Sequence, residues 1–224
     1  MSFRCIIWSC PCWDCFSSTV CLYGNMHAIH LKEVNIVNTP NKTDLSMPME
    51  KAGVYSILFA VPIALAFTVI YIHRWGTAQF ASGFDDLFAN FFVFIAVFFL
   101  GIVVHELIHG LTWMIFGRQP LSAIKFGFQA RTFTPYAHCT VPLKVNPYRI
   151  GAAMPCILLG LLPAIAGIIN GNGLLLAFGL LFITAAGGDL LILWLIRKVD
   201  NDKLVEDHPT QAGCYIIESG NATS

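Results

Sequence analysis

Apolar residues in this chain gather in four long blocks, each closed by a short polar stretch. The first, Ala52–Ile72, holds 21 residues with no ionisable side chain except tyrosine, and His73-Arg74-Trp75 ends it. About 20 apolar residues in a helix cross a hydrocarbon layer of roughly 30 Å, so the block predicts a membrane-spanning helix. Pro62 within it predicts a kink, which membrane helices tolerate. A polar connection, Gly76–Asp86, precedes the second block, Leu87–Phe116. Its Phe91–Leu100 half is apolar on every side, as a lipid-facing or deeply buried helix would be. Gly117-Arg118-Gln119-Pro120 then supplies glycine and proline stop signals.

The third block, Ile150–Ile169, contains Pro155 and Pro163, and Asn170-Gly171-Asn172-Gly173 reads as a tight turn. The fourth, Leu174–Ile196, is stopped by Arg197-Lys198. Between the second and third blocks, Ser122–Pro147 is mixed and proline-containing. Ile124-Lys125-Phe126-Gly127-Phe128 and His138-Cys139-Thr140-Val141-Pro142 suggest short strands there. The expected fold is an all-α polytopic membrane protein. It has about four transmembrane helices, with a small β-hairpin or re-entrant segment at the membrane surface between spans 2 and 3.

Composition agrees with that solvent. Hydrophobic residues make up 56% of the chain and charged residues 12%, against about 25% charged in soluble domains. The mean hydropathy is +0.68 and the pI is near 7.0. A net charge of zero leaves no electrostatic footprint for nucleic acid. The lipid bilayer is therefore the expected partner, and the sequence assigns no oligomeric state. Residues 31–218 read as one membrane-embedded domain and 219–224 as a tail.

Five of the eight cysteines (Cys5, Cys10, Cys12, Cys15 and Cys21) crowd the first 21 residues. Cys12 and Cys15 form a C-x-x-C, but no second pair completes a four-thiolate zinc site. Residues 1–30 are expected to be a cysteine-rich extension without a metal role, with Met26 a candidate initiator.

Four spans put both termini and the 117–147 loop on one side. That side carries Lys32, Lys42, Lys51, Arg118, Lys125, Arg131, Lys144, Arg197, Lys198 and Lys203, whereas the other has Arg74 with Asp85 and Asp86. The positive-inside rule predicts cytoplasmic termini.

The second block also carries His105-Glu106-Leu107-Ile108-His109. Histidines four apart share one helix face, and each neutral imidazole offers a nitrogen to a metal at about 2.0–2.1 Å. Glu106 is placed to take a proton from a metal-activated water, the chemistry of H-E-x-x-H metallopeptidases. Ionisable residues at mid-bilayer cost about 2.5–3.5 kcal/mol each, so three within five positions need a reason. The alternative reason is a polar cluster that pins helices together.

A catalytic zinc takes three protein ligands and keeps one position open. Asp189 is the only ionisable residue of the fourth block, preceded by Ala185-Ala186-Gly187-Gly188 that would let its helix pack closely. At a rise of about 1.5 Å per residue, Asp189 and His109 each lie roughly 10 Å from the same-side end of their helices. His138 competes as the third ligand, or serves as a substrate-binding or supporting group, and Cys139 beside it is a weaker metal candidate. His27, His30, His73 and His208 have no ligand-like spacing and are expected to be solvated.

An H-E-x-x-H within one span and an aspartate near the end of a later one resemble the site-2 group of intramembrane metalloproteases. A closer resemblance is to a bacterial family of membrane proteins described as putative zincin peptidases. It rests on His105-Glu106-Leu107-Ile108-His109-Gly110, Pro135-Tyr136-Ala137-His138-Cys139, Gly188-Asp189-Leu190-Leu191 and Asp207-His208-Pro209, within Leu31–Glu218. The resemblance implies Zn2+ held by His105, His109 and Asp189, with Glu106 as the catalytic base. It also implies a bacterial inner-membrane endopeptidase that hydrolyses a peptide bond in a membrane-anchored protein. A non-catalytic metal-binding adaptor or sensor and a metal transporter are the competing functions.

Overall fold

The computed structural model describes residues 42–129 and 134–218. The extension 1–30, with Met26, and the tail 219–224 lie outside the described residues. Strand β1 (Lys42–Met47) leads into helix α1 (Met49–Phe88), followed by α2 (Phe91–Phe116), β2 (Ile124–Gln129), β3 (Thr134–Cys139) and β4 (Leu143–Lys144). Helix α3 (Val145–Pro155) continues through a π-helical stretch (Cys156–Leu161) into α4 (Leu162–Asn170). Helices α5 (Gly173–Ala185) and α6 (Gly187–Leu195) precede β5 (Leu204–Asp207) and β6 (Ala212–Ile217).

Three helices are long and apolar enough to cross a membrane: Met49–Phe88, Phe91–Phe116 and the continuous Val145–Asn170. The block expected as a fourth span is a bent pair, α5 and α6, meeting at 46°. The bend falls in the run of small residues at Ala185–Gly188, where no bulky side chain holds the helix straight. Apolar faces stay uncovered, Phe92 at 81% and Val69 at 64% exposure, as on helices that could cross a membrane.

The polar connection expected over Gly76–Asp86 is helical instead. The chain breaks only at Gly76, where φ is 85° and ψ is 165°, a conformation open to glycine because it has no Cβ. Beyond the break, Phe80 and Phe84 join Tyr71, Ala164, Leu176, Leu180 and Ile183 in an apolar cluster. Tyr71 Oη donates to the Gly171 carbonyl at 2.9 Å, and Trp75 Nε1 to that of Ile168 at 2.8 Å. These bonds seat α1 on the α4–α5 turn. That turn matches its sequence signals: Gly171 closes α4 in the left-handed region at φ 68°, and Asn172 caps α5 through the Leu175 N–H.

The hairpin expected between the second and third blocks is β2–β3, antiparallel from Ile124↔Cys139 to Gln129↔Thr134. Thr140–Pro142, read as strand from sequence, lies beyond its end. An all-α domain with one hairpin is nevertheless an incomplete description. A second, four-stranded antiparallel sheet has the order β1-β6-β5-β4. Its central strands come from the polar C-terminal region, and β1 is paired from Lys42↔Ile217 to Met47↔Ala212. Val205, Cys214 and Ile216 of this sheet join Trp113, Ile124, Cys139, Leu143, Val145, Tyr148 and Ile196 in one buried cluster. Sheet, hairpin and helix ends thus share a core, which brings β5 to the mouth of the site.

Candidate metal centre

Helix α2 is set by Asn90, whose side chain accepts from the Val93 N–H at 3.2 Å, and by Gly117 after its last turn. One turn apart on its inner face, His105 and His109 are both buried, with ring centroids 4.9 Å apart. Asp189, in the first turn of α6, reaches between them. Its Oδ2 lies 3.0 Å from His105 Nε2 and its Oδ1 3.3 Å from His109 Nε2. The three residues offer ligand atoms all within 4.8 Å of one another. The approach of α6 depends on Gly187, where a Cβ would stand 2.6 Å from the Ser56 carbonyl oxygen of α1.

His109 also defines its own tautomer. Its Nδ1 lies 2.9 Å from the Gly151 carbonyl oxygen in α3. That oxygen only accepts, so Nδ1 carries the hydrogen, and in the neutral ring Nε2 presents a lone pair. This lone pair faces a second acceptor, Asp189 Oδ1. Two acceptors turned toward each other, with His105 Nε2 alongside, suit a cation between them. Two histidines and a carboxylate are also a ligand set that catalytic zinc accepts. The residues therefore fit the metal.

The His109 ring stacks on Trp113 at 5.6 Å, and Trp113 on Tyr148 at 5.8 Å. Tyr148 Oη donates to Asp207 Oδ1 at 2.6 Å, while His138 Nδ1 meets Asp207 Oδ2 at 2.8 Å. His138 therefore stands outside the metal group, in an ion pair with β5. The hydrogen bond that His138 donates to the Asp207 carboxylate raises the His138 pKa above its ordinary value, against the opposing effect of burial. Cys139, the weaker metal candidate, ends β3 and is buried in the core. His208 is not free in solvent either: its Nδ1 accepts from the Thr210 and Gln211 amides.

Glu106 is half-buried on α2 beside the histidines. The backbone N–H of Ala137 in β3 is turned toward its carboxylate. Strand phase explains that contact. Pro135 has no N–H and sits opposite Phe128, so that pair exchanges no ladder hydrogen bond. Ala137, two residues on and opposite Phe126, is in the same phase, so its N–H points away from β2. The hairpin lies close on α2 because Gly110 leaves space for the Phe126 ring.

The sequence picked out His105, Glu106, His109 and Asp189; it gave no role to Ala137 and Asp207, though both stand in stretches that carry the resemblance, and did not single out Gly151 or Tyr148. Of these last two, only Gly151 carried a usable signal, a glycine four positions before a proline within an apolar run.

Fold and site define a class: a helical domain, with helices long enough for a bilayer, that gathers two histidines and an aspartate beside a glutamate. Residues 98–204, a little under half of the chain, match the model of a family described as "Putative zincin peptidase". This is the family the sequence resembles, and the match supports a metallopeptidase with zinc as its metal. No curated protein and no solved structure matches the chain.

Proposed function

We propose that this protein is a zinc-dependent, membrane-embedded endopeptidase that cuts membrane-anchored proteins near the cytoplasmic face of a bacterial inner membrane. The observation that carries the reading is the convergence of His105, His109 and Asp189 within 4.8 Å on helices apolar enough to span a bilayer. His105 Nε2, His109 Nε2 and the Asp189 carboxylate hold the metal. Zinc bound there supplies an acidified water and a Lewis acid for the scissile carbonyl.

Glu106 accepts the proton of the attacking water on its carboxylate and returns it to the leaving amine nitrogen. The Ala137 N–H orients that carboxylate. An extended peptide paired along the hairpin would lie across Glu106, since β3 borders it, and strand addition is a common way to hold a peptide. A helical substrate must first unwind to expose its carbonyl. The clustering of Lys and Arg with the hairpin and the sheet supports cytoplasmic termini, and Asp207 joins sheet to hairpin on one side of the helices.

The test is zinc content of the detergent-purified chain, paired with cleavage of candidate membrane-anchored substrates. About one zinc per chain is expected, lost in His105→Ala and Asp189→Ala and retained without cleavage in Glu106→Gln. Glu106→Gln that keeps cleavage would remove Glu106 as the base, and zinc-loaded wild type that cleaves no substrate would point to a metal protein of another kind. No zinc in folded wild type would leave a polar cluster that pins helices together.

A further inference from the structure

One carbonyl joins the metal centre to the third span. In a regular α-helix the Gly151 oxygen accepts from the N–H of residue 155. Residue 155 is proline and has no N–H to give. The next amide, Cys156 N–H, turns to the Ala153 oxygen. The Gly151 oxygen is thereby left for His109 Nδ1, 2.9 Å away in a buried setting.

Gly151 meets a second demand at the same point. A Cβ there would stand 2.0 Å from Trp113 Nε1, in the ring that stacks on His109. Bare Cα and free carbonyl together seat the imidazole: one admits the indole behind it, the other fixes its hydrogen.

We infer that Pro155 is a positioning residue for the zinc ligand His109. By withholding an N–H it leaves the Gly151 carbonyl without a helix donor, so that Nδ1 takes the better-aligned of its two lone pairs, and it keeps the His109 lone pair on Nε2, facing Asp189. The inference rests on the zinc reading of the site. A carbonyl that holds the second nitrogen of a ligating histidine fixes its tautomer, and losing such a partner typically weakens metal binding about 10–100-fold. Pro163 offers an internal control. It is the same residue in the same span, but among the described residues no site residue hydrogen-bonds to a carbonyl of the π-helical turn that precedes it.

The experiment compares wild type, Pro155→Ala and Pro163→Ala as detergent-purified full chains. Zinc affinity is read by chelator competition, folding by the thermal midpoint, and the His109 tautomer by 15N NMR of histidine-labelled protein. Alanine at 155 restores a competing N–H in a helix it otherwise suits better than proline. Pro155→Ala should bind zinc about tenfold more weakly at an equal or higher midpoint, and Pro163→Ala should keep wild-type affinity. Equal affinity in Pro155→Ala and wild type would overturn the inference, as would equal weakening in the two variants.

Zinc-free wild type would instead sink the metal reading, and the NMR arm then decides the inference alone. A protonated Nδ1 at His109 in wild type, mixed with the other tautomer in Pro155→Ala, supports it. The same tautomer in both overturns it. Should Pro155→Ala misfold, a wild-type spectrum with the hydrogen on Nε2 overturns it without the variant, and with the hydrogen on Nδ1 the same comparison is made with Pro155→Ser, where a mixed tautomer supports the inference and an unchanged one overturns it.

Discussion

His138 Nδ1 stands 2.8 Å from Asp207 Oδ2, although the two residues are 69 positions apart in the chain. Asp207 uses its other oxygen to accept from Tyr148 Oη at 2.6 Å. A strand from the C-terminal region thus grips the hairpin with one oxygen and the third span with the other. The hairpin in turn presents Ala137 to Glu106. The sheet reaches the site through this carboxylate.

That grip should depend on pH. The hydrogen bond donated to Asp207 raises the His138 pKa, and Glu206 adds to the rise while burial and Lys125 oppose it. Because the folded value lies above the unfolded one, the stabilisation is fully present below about 6.5. It is lost as pH rises through the raised value. Amide exchange of residues 134–139 should therefore accelerate, beyond its intrinsic pH dependence, across that window in wild type. Asp207→Asn should exchange fast throughout and lose the extra step. An unchanged step in Asp207→Asn would refute the assignment.

Adjacent glycines at the start of α6 should respond differently to alanine. At Gly187 a Cβ meets the Ser56 backbone at 2.6 Å, whereas at Gly188 the nearest atom, Ser56 Oγ, is 4.0 Å away. Overpacking against backbone costs about 1–3 kcal/mol. Gly187→Ala should lower the thermal midpoint and weaken zinc binding, because Asp189 sits two residues on. Gly188→Ala should change neither, and a chelator titration beside the melts would check both.

The apolar blocks were legible because hydropathy over 20 residues is set by solvent, and the hairpin because turn and strand signals bracket it. The convergence of Asp189 on the α2 histidines could be argued from depth alone, since both residues sit about two turns from their helix ends. The four-stranded sheet was not legible. Its strands are short and partly polar, and β1 pairs with a partner at the far end of the chain, from Lys42↔Ile217 to Met47↔Ala212. The role of Asp207 was hidden for the same reason: Asp207-His208-Pro209 carried the resemblance, but its partners His138 and Tyr148 are far away in the chain. The helical stretch after Gly76 was hidden by Asp85 and Asp86, which a helix accommodates on its uncovered side.

The buried thiols should be chemically silent. Burial pushes the Cys214 thiol up to about 12 and also raises that of Cys139. Only the thiolate attacks alkylating reagents. Iodoacetamide at pH 8 should leave both unmodified in the native chain and label them fully after denaturation, read by peptide mass spectrometry. Native labelling of Cys214 would contradict the packing of β6 on the core.

The sharpest probe of Glu106 is a backbone change two residues after Pro135. Ala137 faces Phe126 in a pair that exchanges no ladder hydrogen bond, the phase in which Pro135 already sits. Ala137→Pro should therefore spare the β2–β3 ladder and remove only the N–H that Glu106 accepts. A hydrogen bond to a charged group is worth roughly 1.5–3 kcal/mol. Cleavage of a membrane-anchored reporter that Glu106→Gln abolishes should then fall about tenfold or more, while zinc content stays at the wild-type level. Full cleavage in Ala137→Pro would mean that the glutamate needs no orienting donor, and the hairpin would retain only its part in holding substrate.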